Sequence, residues 1–362
     1  MTRCDDLIDY LNHPEMHTSS TFRILVEDSW VECPVELLCA FVVCKGSGLD
    51  ELSALLDGPV SLDDLRKAMA IVDTVAVAPP QHKIDVARIF KDANYAVEVQ
   101  EWIVPGGKGL FAQFVGNIVA LSLNTLGCRV VQRLIESSGT CIVQPELLPV
   151  IVDCCLDVNG NHVIQKLIET LSPSDCGFII ESLVPHAKKL ALHCYGCRVV
   201  QRLISKCRCV EILEALCSDP STISALTDDV FGNYVIQHAL EYGRELDRDR
   251  IILSLASLDI IKLGCSKYAS NVVEKAIRQA DGGGVVVTKL LINAMLTSGN
   301  GILTLMKDRY GNYVVRAIME LTRSEFQTEV STVCHIITKN ATLLKKYTFS
   351  WHLVERLNIV KK

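Results

Sequence analysis

A chain of 362 residues is longer than one compact core usually organises, which points to an extended molecule. The opening residues, Met1 to Ile8, hold no signal-peptide stretch, and no uninterrupted apolar run reaches membrane-spanning length. Secretion and membrane insertion are therefore not expected; a soluble cytoplasmic protein is, with its 16 Cys as reduced thiols rather than a disulfide framework. The formal net charge of −6 hides an asymmetry, since residues 1–110 hold 9 Lys and Arg against 18 Asp and Glu, whereas residues 111–362 hold 27 against 24.

In chain order, residues 1–80 contain no convincing repeat. They read as a helical N-terminal region, either a degenerate repeat or a cap, with its acidic residues on a solvated surface. His13-Pro14-Glu15 and Ser19-Ser20-Thr21 suggest loop. Gly106-Gly107-Lys108-Gly109 reads as a loop and not a phosphate cradle, because no Ser or Thr follows the Lys and no strand precedes it. From Gly127 a helical phrase recurs. Its copies are Cys128-Arg129-Val130-Val131-Gln132, Asn161-His162-Val163-Ile164-Gln165, Cys197-Arg198-Val199-Val200-Gln201, Asn233-Tyr234-Val235-Ile236-Gln237, Ser270-Asn271-Val272-Val273-Glu274 and Asn312-Tyr313-Val314-Val315-Arg316. They begin 33, 36, 36, 37 and 42 residues apart, the spacing of a solenoid. Positions three, four, seven and eight are apolar and form the buried stripe of an amphipathic helix. Positions one and five are i and i+4 and share one face. The Gly that usually precedes position one suits a tight turn or a close backbone approach. About 25 residues between phrases leave room for two more helices per unit. Sustained period-two alternation is missing, so almost no sheet is expected. Stacked units would bury one another's stripes, which single units cannot do.

The polar positions vary in a chemically ordered way. Asn161/Gln165 and Asn233/Gln237 offer amide donors and acceptors suited to the Watson–Crick edge of uracil. Cys128/Gln132 and Cys197/Gln201 join a small apolar group to one amide, which suits adenine. Ser270/Glu274 sets a carboxylate where guanine presents N1–H and N2–H. Position two holds Arg129, His162, Arg198, Tyr234, Asn271 and Tyr313, mostly planar groups able to stack on bases. A surface merely facing solvent would drift toward Lys and Glu instead.

With these phrases the chain resembles the Pumilio (PUF) family of RNA-binding proteins, over about residues 85–362. The resemblance implies an all-α fold, a right-handed curved α-solenoid of three-helix repeats like an armadillo superhelix, with repeats over 81–362 and a C-terminal cap from about residue 340, where Phe349-Ser350-Trp351-His352 lies. PUF repeats read one base each. The resemblance further implies that RNA runs antiparallel to the protein, so the pairs read from Asn312/Arg316 back to Cys128/Gln132 spell 5′-UGUAUA-3′. Single-stranded mRNA, bound in 3′ untranslated regions, is the implied partner. Repression or decay through a deadenylase complex is the implied outcome, for a monomer without cofactor or metal. The stretch with Gly282, Gly283 and Gly284 falls where family members have a longer connection that docks protein partners; by itself it reads as a flexible turn.

Two departures stand out. Arg316 replaces the usual Gln, and it suits a uracil carbonyl, a phosphate or guanine O6/N7. Asn94-Tyr95-Ala96-Val97-Glu98 resembles a second-repeat phrase, so a weak RNA contact is expected from Asn94, Tyr95 and Glu98, but Asn with Glu assigns no base. Cys194, Cys197, Cys207 and Cys209 have zinc-like spacing; since Cys197 fills the slot of Cys128, a metal site is not expected. No nucleophile–base or paired-acid set suggests an enzyme. The alternatives are a nucleolar PUF-like factor for ribosomal RNA processing and a helical protein–protein scaffold. Mild basicity of the repeats predicts a shallow salt dependence of RNA binding.

Overall fold

The computed structural model describes residues 21–26, 29–34, 59–60, 82–104, 108–137, 140–282 and 284–360. From residue 82 onward every element among the described residues is helical, which agrees with the all-α expectation. The chain divides into two units, residues 1–182 and 183–362.

Residues 21–60 depart from expectation. Strand β1 (Thr21–Val26) pairs antiparallel with β2 (Ser29–Pro34), in a register that sets Thr21 opposite Pro34 and Val26 opposite Ser29. β3 (Pro59–Val60) lies parallel to β1 on its other side. At these three segments the expectation of a helical N-terminal region is corrected, while three short strands still agree with the expectation of almost no sheet. The strand segments Phe22-Arg23-Ile24-Leu25-Val26 and Trp30-Val31 are rich in β-branched and aromatic residues, which favour extended backbone. His13 to Glu15, and Ser19 and Ser20, lie outside the described residues.

The first unit carries three successive phrase-like helices, α1 (Ala93–Trp102), α2 (Gly127–Glu136) and α3 (Gly160–Thr170). α2 packs against α1 on one side and α3 on the other. The second unit carries α4 (Gly196–Arg202), α5 (Gly232–Tyr242), α6 (Ala269–Arg278) and α7 (Gly311–Met319), each packed on the next. Short helices such as Ile118–Ser122, Ile151–Leu156 and Pro220–Thr227 lead into α2, α3 and α5 and pack against them.

The apolar stripe explains this stacking. In α2 the residues at positions three, four, seven and eight, Val130, Val131, Leu134 and Ile135, are wholly buried, as are Val163, Ile164, Leu167 and Ile168 in α3. Each such side chain contributes on the order of 1.5–3 kcal/mol through burial, an upper estimate because the unfolded chain is itself partly collapsed. The preceding Gly permits a close approach. A Cβ on Gly160 would stand 2.8 Å from the Cys154 carbonyl oxygen, and one on Gly232 2.7 Å from that of Leu226. The phrase helix thus sits directly on the last turn of the helix before it.

Candidate nucleic-acid interface

A recurrent turn fixes the start of each phrase helix. Four residues before position one stands a side-chain acceptor: Asn124, Asp157, His193, Asp229, Ser266 or Asp308. Asp229 accepts from the Phe231 and Gly232 amides at 2.8 and 2.7 Å, and Asp308 from those of Tyr310 and Gly311 at 2.7 and 2.9 Å. Asn124 and Asp157 make the same pair of bonds, His193 does so through Nδ1, and Ser266 through its hydroxyl. These turns satisfy orphan amides at the helix N-terminus. Sequence reasoning missed them because the acceptor changes chemical type from copy to copy; its constant offset was the available signal.

Each of the six copies grades the burial of its polar residues in the same way. Position one is buried beneath the surface: Cys128, Asn161, Cys197, Asn233, Ser270 and Asn312. Position five is half-buried: Gln132, Gln165, Gln201, Gln237, Glu274 and Arg316. Position two is exposed: Arg129, His162, Arg198, Tyr234, Asn271 and Tyr313, with Tyr234 and Tyr313 about half accessible, at 54% and 45%.

Hydrogen bonding narrows what each pair offers. Asn161 Nδ2 donates to the Asp157 and Val158 carbonyls at 2.8 and 3.0 Å, and its Oδ1 accepts from Gln165 Nε2 at 2.9 Å. Asn233 repeats the pattern with Asp229, Val230 and Gln237. The Asn donors are therefore spent on the backbone, which leaves the Gln as the donor of each pair. What remains is Gln Oε1 and the second lone pair of Asn Oδ1, with one N–H of Gln237; the Nε2 of Gln165 also makes a long contact of 3.4 Å to the Asn161 carbonyl. That set still matches uracil, whose N3–H lies between two carbonyls. Cys128 and Cys197 lean on the same turn, with Sγ 3.5 Å from Thr125 O and 3.6 Å from Cys194 O. Burial pushes both thiols up, so they stay neutral. Gln132 Nε2 donates to the Cys128 carbonyl at 3.2 Å.

The last two pairs are ionic. Glu274 Oε1 accepts from Arg278 Nε at 3.0 Å. Asn312 repeats the Asn turn through Asp308 and Arg309, both at 3.0 Å, but its buried Oδ1 has no partner, because Arg stands where Gln supplies one elsewhere. Arg316 instead lies over the Tyr313 ring, 4.9 Å from its centroid, and its Nε is without a hydrogen bond, 3.9 Å from Glu320. Tyr313 and Arg316 line an open pocket of about 480 Å³ with Trp351, His352, Glu355 and Arg356.

The Asn94 phrase does not share this arrangement. In α1 the buried residues are Tyr95, Ala96 and Val99, a stripe rotated from that of the other phrases, while Asn94 and Glu98 are exposed. Tyr95 belongs to the core, its hydroxyl accepting from the Asp85 amide at 2.8 Å and its ring meeting Trp102 edge-on. Of the three residues expected to make a weak RNA contact, Tyr95 is thus buried, whereas Asn94 and Glu98 stay exposed. Among the described residues no three or more His, Cys, Asp or Glu gather as a metal site, and no single helix is long and apolar enough to cross a membrane.

Stacked helical repeats with a constant frame and variable polar pairs define a modular polymer-binding protein. The Pumilio-family RNA binding repeat matches residues 117–140, 151–184, 186–217, 229–256, 259–283 and 301–328, and the chain belongs to that family. It is 30% identical over 219 residues to Pumilio homolog 9 of Arabidopsis thaliana, covering 59% of this chain and 37% of that protein. It is 34% identical over 190 residues to Pumilio homology domain family member 4 of Saccharomyces cerevisiae, covering 51% and 21%. The chain thus spans well under half the length of these two relatives. Among solved structures, it resembles a Puf3 RNA binding domain bound to a Cox17 RNA 3′ UTR recognition sequence, with TM-score 0.59 and 27% identity, covering 84% of this chain and 97% of that one.

Proposed function

We propose that this chain is a non-enzymatic reader of single-stranded RNA with the core sequence 5′-UGUAUA-3′. The observation that carries this reading is the shared grading of the six pairs, buried at position one, half-buried at position five and exposed at position two. Asn312/Arg316 takes the first uracil, Ser270/Glu274 the guanine, Asn233/Gln237 the second uracil, Cys197/Gln201 the first adenine, Asn161/Gln165 the third uracil and Cys128/Gln132 the last adenine. Each base meets a small donor–acceptor set that the wrong base leaves unsatisfied, a discrimination worth about 1–3 kcal/mol per position.

The biological setting we propose is a cytoplasmic monomer acting on 3′ untranslated regions of mRNA, repressing it or promoting its decay with a deadenylase complex. The RNA named for the Puf3 structure, a 3′ UTR recognition sequence, supports that setting. Affinity selection of the purified chain from a random single-stranded RNA pool tests the reading. Enrichment of a UGUA-containing core is the expected result; enrichment of structured RNA, or of no motif, overturns it.

A further inference from the structure

The reading pairs differ in what holds their fifth residue. Gln165 and Gln237 turn back to the Asn of their own pair, 2.9 and 3.0 Å away. Elsewhere, ions bridge neighbouring phrase helices without engaging a fifth residue: Lys166 reaches Glu136 at 2.7 Å and Lys275 reaches Glu241 at 2.6 Å. Between α6 and α7 this separation breaks down. Arg278, one turn beyond Glu274, grips its Oε1 through Nε at 3.0 Å and Nη2 at 2.9 Å. The remaining Nη1 of Arg278 reaches Oε2 of Glu320, the residue that follows α7, at 2.8 Å. The other oxygen of Glu320 pairs with Arg356 of the last helix (Trp351–Val360) and stands 3.9 Å from Arg316 Nε. Charge therefore alternates from Glu274 through Arg278 and Glu320 to Arg316 and Arg356.

We infer that Arg278 positions the Glu274 carboxylate for its base and, through Glu320, ties that pair to Arg316, so that the first two bases are read as one dinucleotide step rather than independently. The inference rests on the RNA-reading function proposed above.

Three physical arguments support it. A carboxylate facing a polyanion suffers repulsion from the phosphates, and a fixed guanidinium beside it offsets that charge. Glu274 must also present acceptor lone pairs to the N1–H and N2–H of guanine. Holding Oε1 with two N–H groups removes the rotational freedom that binding would otherwise have to remove, and leaves the lone pairs of Oε2 for the base. Finally, Glu320 is shared. When Arg316 swings off Tyr313 toward a base, Glu320 loses a nearby cation and holds Arg278 differently, which carries the change to Glu274. Partly exposed ion pairs of this kind add little to folding stability, so their effect belongs to selectivity.

The test measures affinities of the unmodified chain, Arg278→Met, Arg278→Lys and Glu320→Gln for RNAs carrying UG, UA, GG or GA at the first two positions of the core. In the unmodified chain, the penalty for replacing guanine should change by about 3- to 10-fold with the identity of the first base, the range of coupling seen between contacting groups. Arg278→Met should reduce the preference for guanine by about 5- to 20-fold, the value of one charge-assisted bond pair. Arg278→Lys should restore part of it. Glu320→Gln should abolish the coupling while leaving most of the guanine preference. Discrimination at the last adenine, read by Cys128/Gln132, should not move in any variant, which separates positioning from a general structural loss. Additive penalties in the unmodified chain, or full guanine preference in Arg278→Met, overturn the inference while leaving the RNA reading intact. Failure of the unmodified chain to distinguish any of the four RNAs overturns both.

Discussion

Replacing Cys197 with Asn probes the pair logic most sharply, because the structure already contains the product three times over. Asn161, Asn233 and Asn312 occupy the equivalent slot, each with Nδ2 bonded to the two carbonyls of the preceding turn. In Cys197→Asn the same atoms would reach the carbonyls of His193 and Cys194, and Oδ1 would meet Gln201. Two new hydrogen bonds at about 1 kcal/mol net each roughly offset the desolvation of a buried amide, so folding stability should change by no more than about 1 kcal/mol. Selectivity should change far more. The present pair favours adenine and an Asn/Gln pair favours uracil, so at about 1 kcal/mol or more in each direction the adenine-to-uracil affinity ratio should swing by about 2 kcal/mol, on the order of 30-fold. Fluorescence polarisation with 5′-UGUAUA-3′ and 5′-UGUUUA-3′ gives the ratio, and a thermal melt controls for folding. A folded variant whose ratio is unchanged would refute the idea that positions one and five select the base.

Other variants address other links. Glu274→Gln should weaken binding of the guanine-containing core by about 1–3 kcal/mol and relax choice at that base, measured by competition with the adenine-substituted RNA. Arg316→Gln gives Asn312 Oδ1 the partner it lacks, and should sharpen preference for uracil at the first base by about 1 kcal/mol in the same assay. Gly232→Ala places a Cβ 2.7 Å from the Leu226 carbonyl and 2.8 Å from its Cα; overpacking at the upper end of about 1–3 kcal/mol outweighs a helix-propensity gain of about 1, so urea denaturation should show a net loss. Gly177→Ala, with nothing within 4 Å, should instead be neutral or stabilising in the same urea titration. The hydrogen bonds of Arg244 and Arg250 hold the Glu214 carboxyl down to about 2, below its ordinary 4.5. A depressed carboxyl stabilises the fold above about pH 4.5 and loses that contribution as pH falls toward 2, so Glu214→Gln should flatten the fall of Tm across that window.

Much of the repeat frame was legible because its signals are local. Val130, Val131, Leu134 and Ile135 announce a buried helical stripe through spacing alone, and Gly160 or Gly232 marks the close turn before it. What escaped depends on partners distant in sequence or variable in type. The pairing of Thr21–Val26 with Ser29–Pro34 and Pro59–Val60 builds a sheet from short segments without clean alternation. Asn94-Tyr95 copies the spelling of the phrase, yet Tyr95 turns inward because its hydroxyl meets Asp85 and its ring Trp102. The spent donors of Asn161 and Asn233 depend on backbone carbonyls that the sequence does not display. Arg278 reads as an ordinary exposed helix residue until α7 brings Glu320 within 2.8 Å of it.

Direct titration of the purified chain with a labelled 5′-UGUAUA-3′ RNA, alongside 5′-ACAUAU-3′ and a DNA copy of the core, addresses the central claim in a single experiment. Saturable one-to-one binding to the first RNA, at least about a hundredfold tighter than to the second, is the predicted result. Equal affinity for both RNAs, or no binding to either, would contradict it.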